Sequence, residues 1–179
     1  MNGDVAEILL EETQIQAKVR ALASQLSSDY EGMDLVMVCI LKGAVLFMAD
    51  LMRYISIPVT VDFMAISSYG AGTKTSGVVR ILKDLDEPVQ GKHVLIVEDI
   101  VDTGLTLKYL QNNLSSRQPA SLRSCVLLDK PTRREVDIQP DYVGFEMPDR
   151  FMIGYGLDYS ERYRNLPFIG VLKPQVYQG

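Results

Sequence analysis

The sequence predicts an α/β fold, in which helices flank a largely parallel central sheet. First, short continuous apolar runs, of which Leu35–Leu41 is the clearest, are typical of strands that are buried on both faces. Second, segments with helical character alternate with these runs along the chain. Third, a chain of 179 residues, with 47% hydrophobic and 23% charged residues, suffices for one compact domain with a core. This composition excludes a disordered or fibrous protein.

Each predicted element has a local reason. Apolar residues at mostly helical spacing, with charged residues between them, predict the first helix. Lys42 and Gly43 end the first apolar strand, and a stretch of helix formers follows them. Pro58 precedes the second strand, and the turn residues Gln90 and Gly91 precede the fourth. In order, the predicted elements are a helix over residues 4–26, a strand over 35–41, a helix over 44–54, strands over 59–66, 78–82 and 94–97, a helix over 105–114 and a strand over 122–128.

The last part of the chain, residues 141–179, combines strands, turns and many aromatic side chains. We expect this tail and the N-terminal segment to contribute to a small, strand-rich hood lobe beside the main sheet. The sequence contains no internal repeat, low-complexity tract or linker. Residues 1–179 are therefore predicted to form a single domain.

Charge and composition exclude several classes of partner. The net charge is −5, from 18 basic and 23 acidic residues, which disfavours binding to nucleic acid or to an anionic membrane. No apolar run approaches the length of about 20 residues that a membrane helix needs, and the acidic N-terminal segment does not resemble a targeting leader. Cys39 and Cys125 lie in apolar runs, as expected for buried free thiols in a reducing compartment. We therefore expect a cytoplasmic protein.

The sequence VLIVEDIVDTGLTL, at residues 94–107, contains the residues that most clearly indicate a ligand-binding site. An apolar strand leads into the adjacent carboxylates of Glu98 and Asp99, and a glycine-containing loop then leads into a helix. Gly104 allows the backbone to approach a ligand closely, and the free N–H groups at a helix start bind phosphate. Thr103 and Thr106 add hydroxyl donors. The pattern therefore predicts a phosphate-binding loop.

Two carboxylates beside a phosphate should repel it. The conflict disappears when the ligand presents sugar hydroxyls to the carboxylates and a divalent cation neutralises the remaining charge. A sugar phosphate with a vicinal diol, bound with Mg²⁺, fits the glycine-containing loop, the hydroxyl donors and the acid pair. Simple capping of a surface helix accounts for one acid or threonine, but not for two acids that follow a buried apolar strand.

The same segment resembles the signature that binds phosphoribosyl pyrophosphate (PRPP) in type I phosphoribosyltransferases. The matching features are the apolar strand, the acid pair, two apolar residues, Asp-Thr-Gly and a further threonine. Leu105 stands where some relatives have lysine, which removes one possible phosphate contact but leaves the backbone in place. Further segments resemble, in order and spacing, the members of the family that use hypoxanthine and guanine: residues 40–44, 67–70, 128–130, 143–149 and 154–159.

This resemblance implies the type I phosphoribosyltransferase fold and a purine salvage reaction. A purine ring nitrogen displaces pyrophosphate from ribose C1 of PRPP, giving inosine or guanosine monophosphate. Hypoxanthine is the expected base, with guanine as a second substrate, and Mg²⁺ is the expected cofactor. The resemblance further implies a homodimer or homotetramer that binds neither nucleic acid nor membrane.

The resemblance also implies which residues hold PRPP. Asp102 is expected near purine N7, as the group that transfers a proton. The 5′-phosphate is expected on Thr103, Gly104, Leu105 and Thr106, largely through backbone N–H groups. The ribose hydroxyls and Mg²⁺ are expected on Glu98, Asp99 and Asp158. Pyrophosphate is expected on Leu41, Lys42, Gly43 and Arg164.

The purine site and a lid are implied in the same way. The residues expected around the base are Lys130, Phe151, Met152 and Asp158. Lys130 would donate to the 6-oxo oxygen and thereby exclude adenine, whose amino group is also a donor. Ser68 and Tyr69 are the expected closing pair of a lid over residues 67–77, which would exclude water from the reacting centre.

Other residues have simpler interpretations. Tyr155, Tyr159 and Tyr163 are interpreted as core aromatics, and His93 as a structural residue. The basic pair at residues 133–134 is interpreted as part of a solvated turn.

Two alternative functions stay open at this stage. A regulator that binds PRPP without catalysis would need an exposed basic face or a DNA-binding domain, and the net charge of −5 disfavours it. A nucleotide-binding redox domain would need a third glycine after Gly70 and Gly72, which the sequence lacks.

Overall fold

The computed structural model describes residues 2–68 and 79–177. No helix within these ranges is long and apolar enough to cross a membrane. The strands are β1 (Val5–Leu10), β2 (Leu35–Leu41), β3 (Val59–Ser68), β4 (Val79–Lys83), β5 (His93–Val101), β6 (Ser121–Asp129), β7 (Tyr142–Glu146), β8 (Met152–Ile153) and β9 (Ile169–Leu172). The helices are α1 (Glu12–Asp29), α2 (Val45–Tyr54), α3 (Leu105–Ser115) and the short α4 (Pro174–Tyr177).

The central sheet has six strands in the order β4-β3-β2-β5-β6-β7. All neighbouring pairs are parallel except β3 and β4, which are antiparallel. The predicted α/β fold with a largely parallel sheet is therefore confirmed. Because β2 and β5 are parallel neighbours, with Cys39 paired to Val97, their carboxyl ends lie side by side. This edge is where ligands bind in open parallel sheets.

The sheet is buried on both faces because its side chains alternate between two cores. Met37 and Cys39 of β2 belong to the core beneath α1 and α2. Val38 and Ile40 belong to the core on the opposite face, together with the buried residues of α3. Cys39 and Cys125 are buried free thiols, as the sequence predicted.

A smaller antiparallel sheet, in the order β1-β9-β8, lies outside the central one. It corrects the prediction of a helix over residues 4–26, because Val5–Leu10 forms β1 and α1 begins at Glu12. Glu11 and Gln14 form a capping box there, which starts the helix after the strand. The pairing of Ile8 with Gly170 joins segments too distant in the chain for local spacing to reveal.

The tail, residues 141–179, contributes strands to both sheets and not, as was predicted, only to the smaller one. Tyr142–Glu146 forms β7, which pairs in parallel with β6 at the edge of the central sheet. Of the strands predicted in residues 141–179, only β8 and β9 therefore belong to the smaller sheet. Apolar strands have similar sequences whichever sheet they join, so the sequence alone did not show which sheet each strand belongs to.

Candidate active site

A cavity of about 460 Å³ opens beyond the carboxyl ends of β2 and β5, at the start of α3. Many residues from the predicted site line it: Leu41, Lys42, Gly43, Glu98, Asp99, Asp102, Thr103, Gly104, Thr106, Asp158 and Arg164. The remaining lining is apolar: Ile40, Ile66, Ile100, Val101 and Leu107. The tertiary structure thus brings together polar groups from three separate parts of the chain.

The acid pair lies within β5, which extends beyond the predicted 94–97 to Val101. Glu98 is 3% exposed, and its Oε1 has no hydrogen-bond partner among the described residues. Burial raises the pKa of Glu98 to about 8, and the neighbouring Asp99 carboxylate contributes to this rise. Burial also raises the pKa of Asp99 to about 6, although a hydrogen bond from the backbone of Ile100 opposes the rise. Such a pair favours a ligand that brings hydroxyl donors or positive charge.

Two glycines allow three loops to approach one another at this pair. A Cβ placed on Gly43 would lie 1.7 Å from Oδ2 of Asp99. A Cβ placed on Gly156 would lie 2.0 Å from the carbonyl oxygen of Gly43. The loop after β2 therefore packs between the acid pair and the tail, and no larger residue fits at either glycine without displacing its neighbour.

Two cations face the same cavity near the tail loop. Arg164 contacts Asp158 at 2.9 Å and Glu161 at 3.2 Å through Nη2. Lys42, which follows a cis peptide bond from Leu41, contacts Glu161 at 3.0 Å through Nζ. The hydrogen bond from Lys42 holds the pKa of Glu161 below its usual range. Glu161 is therefore the anion shared by Lys42 and Arg164.

The loop that is expected to bind phosphate lies at the start of α3. Gly104 precedes the helix with a φ of +84°, and a Cβ there would lie 2.6 Å from Ile138. Glycine is therefore required both by the backbone conformation and by the space. The N–H of Leu105 donates to the Thr103 hydroxyl at 3.4 Å, whereas the Leu105 side chain does not line the cavity. Thr103 and Thr106 both line it, beside the first helical turn.

Three of the residues expected around the purine, Lys130, Phe151 and Met152, lie outside the cavity. Lys130 is 6% exposed, and its Nζ donates to the carbonyl oxygen of Arg150 at 2.7 Å. Phe151 is 49% exposed and makes an edge-to-face contact with Tyr159, with 5.8 Å between ring centroids. Met152 is buried in β8. Of the four residues predicted around the purine, Asp158 lines the 460 Å³ cavity, whereas Lys130, Phe151 and Met152 do not.

Comparison with known proteins identifies the family. The family described as "Phosphoribosyl transferase domain" matches residues 5–160. The chain belongs to this phosphoribosyltransferase family. Among relatives of this phosphoribosyltransferase, a hypoxanthine-guanine phosphoribosyltransferase of Mycobacterium tuberculosis is 54% identical over 182 residues, which cover 98% of this chain and 90% of the relative. The Bacillus subtilis enzyme of the same name is 51% identical, with 99% of each chain covered.

Solved structures show the same fold. A hypoxanthine phosphoribosyltransferase from Staphylococcus aureus superposes with a TM-score of 0.97 and 51% sequence identity. The match covers 100% of this chain and 97% of the other. The type I phosphoribosyltransferase fold implied by the acid-pair motif is thereby confirmed.

The structure adds site residues that the sequence analysis of this phosphoribosyltransferase missed. Arg133 donates from Nε to Oδ1 of Asp102 at 3.0 Å and lies 3.7 Å from Asp149. Arg134 is largely buried, donates to the backbone oxygen of Asp102 at 2.7 Å and pairs with the Asp129 carboxylate. The prediction that residues 133–134 belong to a solvated turn holds for Arg133, which is exposed on the 3-10 turn Pro131–Arg133, but it is wrong for Arg134, which is largely buried against Asp129.

A weak signal existed in the sequence for Glu161. Glu161 lies three residues before the oppositely charged Arg164, whereas Arg133 lies three residues after Lys130, which carries the same charge and gives no signal of an ion pair. Opposite charges at such spacing form pairs on a turn as they do on a helix, but they occur as often on solvated surfaces.

Three other predictions have mixed outcomes. Tyr155 and Tyr163 are buried, as expected for core aromatics. The Nδ1 atom of His93 lies 2.8 Å from the Ser121 hydroxyl, which agrees with a structural role. Of the expected lid pair, Ser68 ends β3, while Tyr69 and the segment that follows it lie outside the described residues.

The carboxylates fit a metal ion that shares its ligands with substrate. Within the described ranges, no group of three or more His, Cys, Asp or Glu side chains is close enough to hold an ion by itself. Mg²⁺ commonly takes only one or two carboxylates and completes its coordination with phosphate oxygens and water. Glu98, Asp99 and Asp158 all line the cavity, and Oε1 of Glu98 has no hydrogen-bond partner among the described residues. This donor set suits such a shared site.

Proposed function

We propose that this phosphoribosyltransferase transfers the 5-phosphoribosyl group from PRPP to hypoxanthine and guanine, giving the nucleoside monophosphate and pyrophosphate in purine salvage. One observation carries the proposal. The acid pair, the phosphate-binding loop and two cations line one cavity, in a chain 51–54% identical to hypoxanthine-guanine phosphoribosyltransferases. The names of those relatives support the choice of base, and the cavity supports the choice of PRPP.

The leaving group sets the first requirement of the reaction. When pyrophosphate departs from C1, negative charge grows on its oxygens and the ribose gains oxocarbenium character. Lys42 and Arg164 would stabilise that charge, and the guanidinium suits a bidentate contact with phosphate. Both cations contact Glu161, so pyrophosphate would replace this carboxylate as their shared partner.

The ribose and its phosphate would bind along β5 and the start of α3. Glu98 and Asp99 would accept hydrogen bonds from the two ribose hydroxyls, which satisfies the unpartnered Oε1 of Glu98. The 5′-phosphate would take the free N–H groups at the start of α3, with the hydroxyls of Thr103 and Thr106. Asp99 and Asp158 would hold Mg²⁺, which when bound neutralises charge on the pyrophosphate.

The purine would bind between the cavity and the residues Lys130, Phe151 and Met152. Asp102 would accept the proton at N7 while N9 attacks C1. Lys130 would exchange its hydrogen bond to the Arg150 carbonyl for one to the 6-oxo oxygen. Phe151, which is half exposed, would stack on the ring, and the backbone of Met152 would meet the base edge. A 6-amino group would face a donor at Lys130, which disfavours adenine.

The proposal also includes an assembly and a compartment. We expect a homodimer or homotetramer. We also expect a cytoplasmic location, which the buried free thiols of Cys39 and Cys125 support. Sedimentation velocity on the purified chain distinguishes a monomer from either assembly.

A single assay tests the activity. The purified chain is mixed with Mg²⁺, PRPP and hypoxanthine, guanine or adenine, and the nucleotides formed are separated by chromatography. We expect inosine and guanosine monophosphates and far less adenosine monophosphate. The matched variant Asp102→Asn should lower kcat by about 10²–10⁴-fold, the usual contribution of a general base, while binding PRPP nearly as well as the wild type. PRPP binding without any nucleotide product would overturn the proposal in favour of a regulator.

A further inference from the structure

We propose that Arg133 is a positioning residue for the reaction, which orients the Asp102 carboxylate for the purine before the base arrives. This inference rests on the proposed function, because it concerns the group that would receive the N7 proton. Arg133 does not touch the expected substrate and acts only through Asp102.

The first support is a chain of alternating charges beside the cavity. Arg133 Nε lies 3.0 Å from Asp102 Oδ1, and Arg133 Nη1 lies 3.7 Å from Asp149 Oδ2. The other oxygen of Asp149 lies 4.0 Å from Lys130 Nζ. The two ends of this chain, Asp102 and Lys130, are the groups expected at N7 and at the 6-oxo oxygen. These atoms are adjacent on one edge of the purine, so the chain spans the place where that edge must fit.

The second support is the asymmetry of the Asp102 carboxylate. Its Oδ1 accepts the hydrogen bond from Arg133, whereas its Oδ2 has no hydrogen bond to any described residue. One oxygen is therefore held and the other is available to an incoming N–H. A carboxylate that is oriented through one oxygen can accept a proton through the other without first reorganising.

The third support is that the backbone around Asp102 is already fixed by a different arginine. Arg134 donates to the Asp102 carbonyl at 2.7 Å and to the Ile138 carbonyl at 3.1 Å, and it pairs with the buried Asp129. The loop therefore has its structural support without Arg133. The 3-10 turn Pro131–Arg133 directly follows Lys130, and it fixes the position of Arg133 relative to that lysine.

The exposure of Arg133 fits a contact that adjusts during turnover. The side chains of Arg133 and Asp102 are 46% and 42% exposed, whereas those of Arg134 and Asp129 are 15% and 9% exposed. An exposed ion pair is weak and exchanges readily with solvent or ligand. Loss of Arg133 should therefore disturb the orientation of Asp102 while leaving the fold intact.

The test compares Arg133→Gln, Arg133→Lys and the control Arg53→Gln, an exposed arginine on α2. We expect Arg133→Gln to lower kcat by roughly tenfold, in the range that misplacement of a reacting group costs. The dissociation constant for PRPP and the melting temperature should remain near those of the wild type. Arg133→Lys, which retains a charged donor, should recover part of the lost rate, and Arg53→Gln should match the wild type.

A double-mutant cycle separates a positioning role from a structural one. In the Asp102→Asn background, Arg133→Gln should change kcat less than about twofold, because its partner is already absent. An equal loss of rate in both backgrounds, or a kcat of Arg133→Gln within twofold of the wild type, would overturn the inference. Absence of product from the wild-type chain would instead overturn the proposed function, so the two failures are distinguishable.

Discussion

The hydroxyl of Tyr155 donates a 2.6 Å hydrogen bond to Oδ2 of Asp50. The same oxygen accepts a 2.7 Å hydrogen bond from the side-chain amide of Gln16. Asp50 on α2 therefore joins α1 to the tail loop, in which Tyr155 directly precedes Gly156. Because Gly156 packs on the Gly43 carbonyl, this partly buried contact connects the scaffold to the expected pyrophosphate loop.

Removal of the Tyr155 hydroxyl should destabilise the protein. Tyr155→Phe deletes a partly buried hydrogen bond to a carboxylate, for which a loss of about 1.5–3 kcal/mol in the free energy of unfolding is expected. Urea unfolding followed by circular dichroism measures this loss. The control is Tyr109→Phe on α3, which should change the free energy little. Equal stability of the two variants would contradict a role for the Asp50 contact.

Gly43 should tolerate no side chain. The Cβ of Gly43→Ala would lie 1.7 Å from Oδ2 of Asp99, so the carboxylate must move away from the ribose site. We expect kcat/KM for PRPP to fall by about 10²-fold, the scale of a misplaced binding group. The control is Gly3→Ala, where a Cβ meets no atom within 4 Å. Wild-type kinetics of Gly43→Ala would show that the Asp99 position is unimportant.

Glu161 should compete with pyrophosphate for its cations. Glu161→Gln removes the anion that Lys42 and Arg164 share, while Arg164 keeps its contacts with Asp158 and the Gly156 carbonyl. Calorimetry with pyrophosphate and Mg²⁺ should show a Kd lower by roughly two- to fivefold, the scale of exposed ion pairs. The exposed Glu31→Gln is the control. Weaker binding by Glu161→Gln would mean that the carboxylate organises the site instead.

Lys130 should determine the preference for 6-oxopurines. Lys130→Gln removes a charge-assisted hydrogen bond, which is worth about 1.5–3 kcal/mol, or roughly ten- to a hundredfold in kcat/KM. Hypoxanthine and guanine should weaken together, and their advantage over adenine should narrow. The control is the exposed Lys108→Gln on α3. If all three bases keep their wild-type kinetics with Lys130→Gln, another group recognises the 6-position.

Removal of divalent metal should abolish turnover. The cavity places carboxylates beside the expected pyrophosphate, which repel it unless a cation intervenes. Excess chelator should stop product formation, and added Mg²⁺ or Mn²⁺ should restore it. Calorimetry provides a second measurement, because PRPP should bind more weakly without metal. Asp158→Asn should raise the Mg²⁺ concentration needed for half-maximal rate, whereas the exposed Asp137→Asn should not. Full activity in chelator would contradict the shared metal site.

The features of this protein that could be predicted from its sequence are those that are local in the chain. The strand that runs into Glu98 and Asp99, the left-handed Gly104 and the helix after it are contiguous. Their chemistry can therefore be interpreted residue by residue. The same holds for Leu35–Leu41, whose continuous apolar composition indicates burial on both faces wherever its neighbours come from.

Which strands pair, and which side chains distant in the chain come into contact, follows from the tertiary structure and not from local sequence. Val5–Leu10 is a strand because β9 pairs with it, and β7 joins the central sheet because β6 presents a free edge. Likewise, Glu161 reaches Lys42 across 119 residues, and Arg133 reaches Asp102 across 31. Local periodicity reports whether a residue is buried, but pairing depends on the positions of whole elements. Those positions follow from the packing of both cores together.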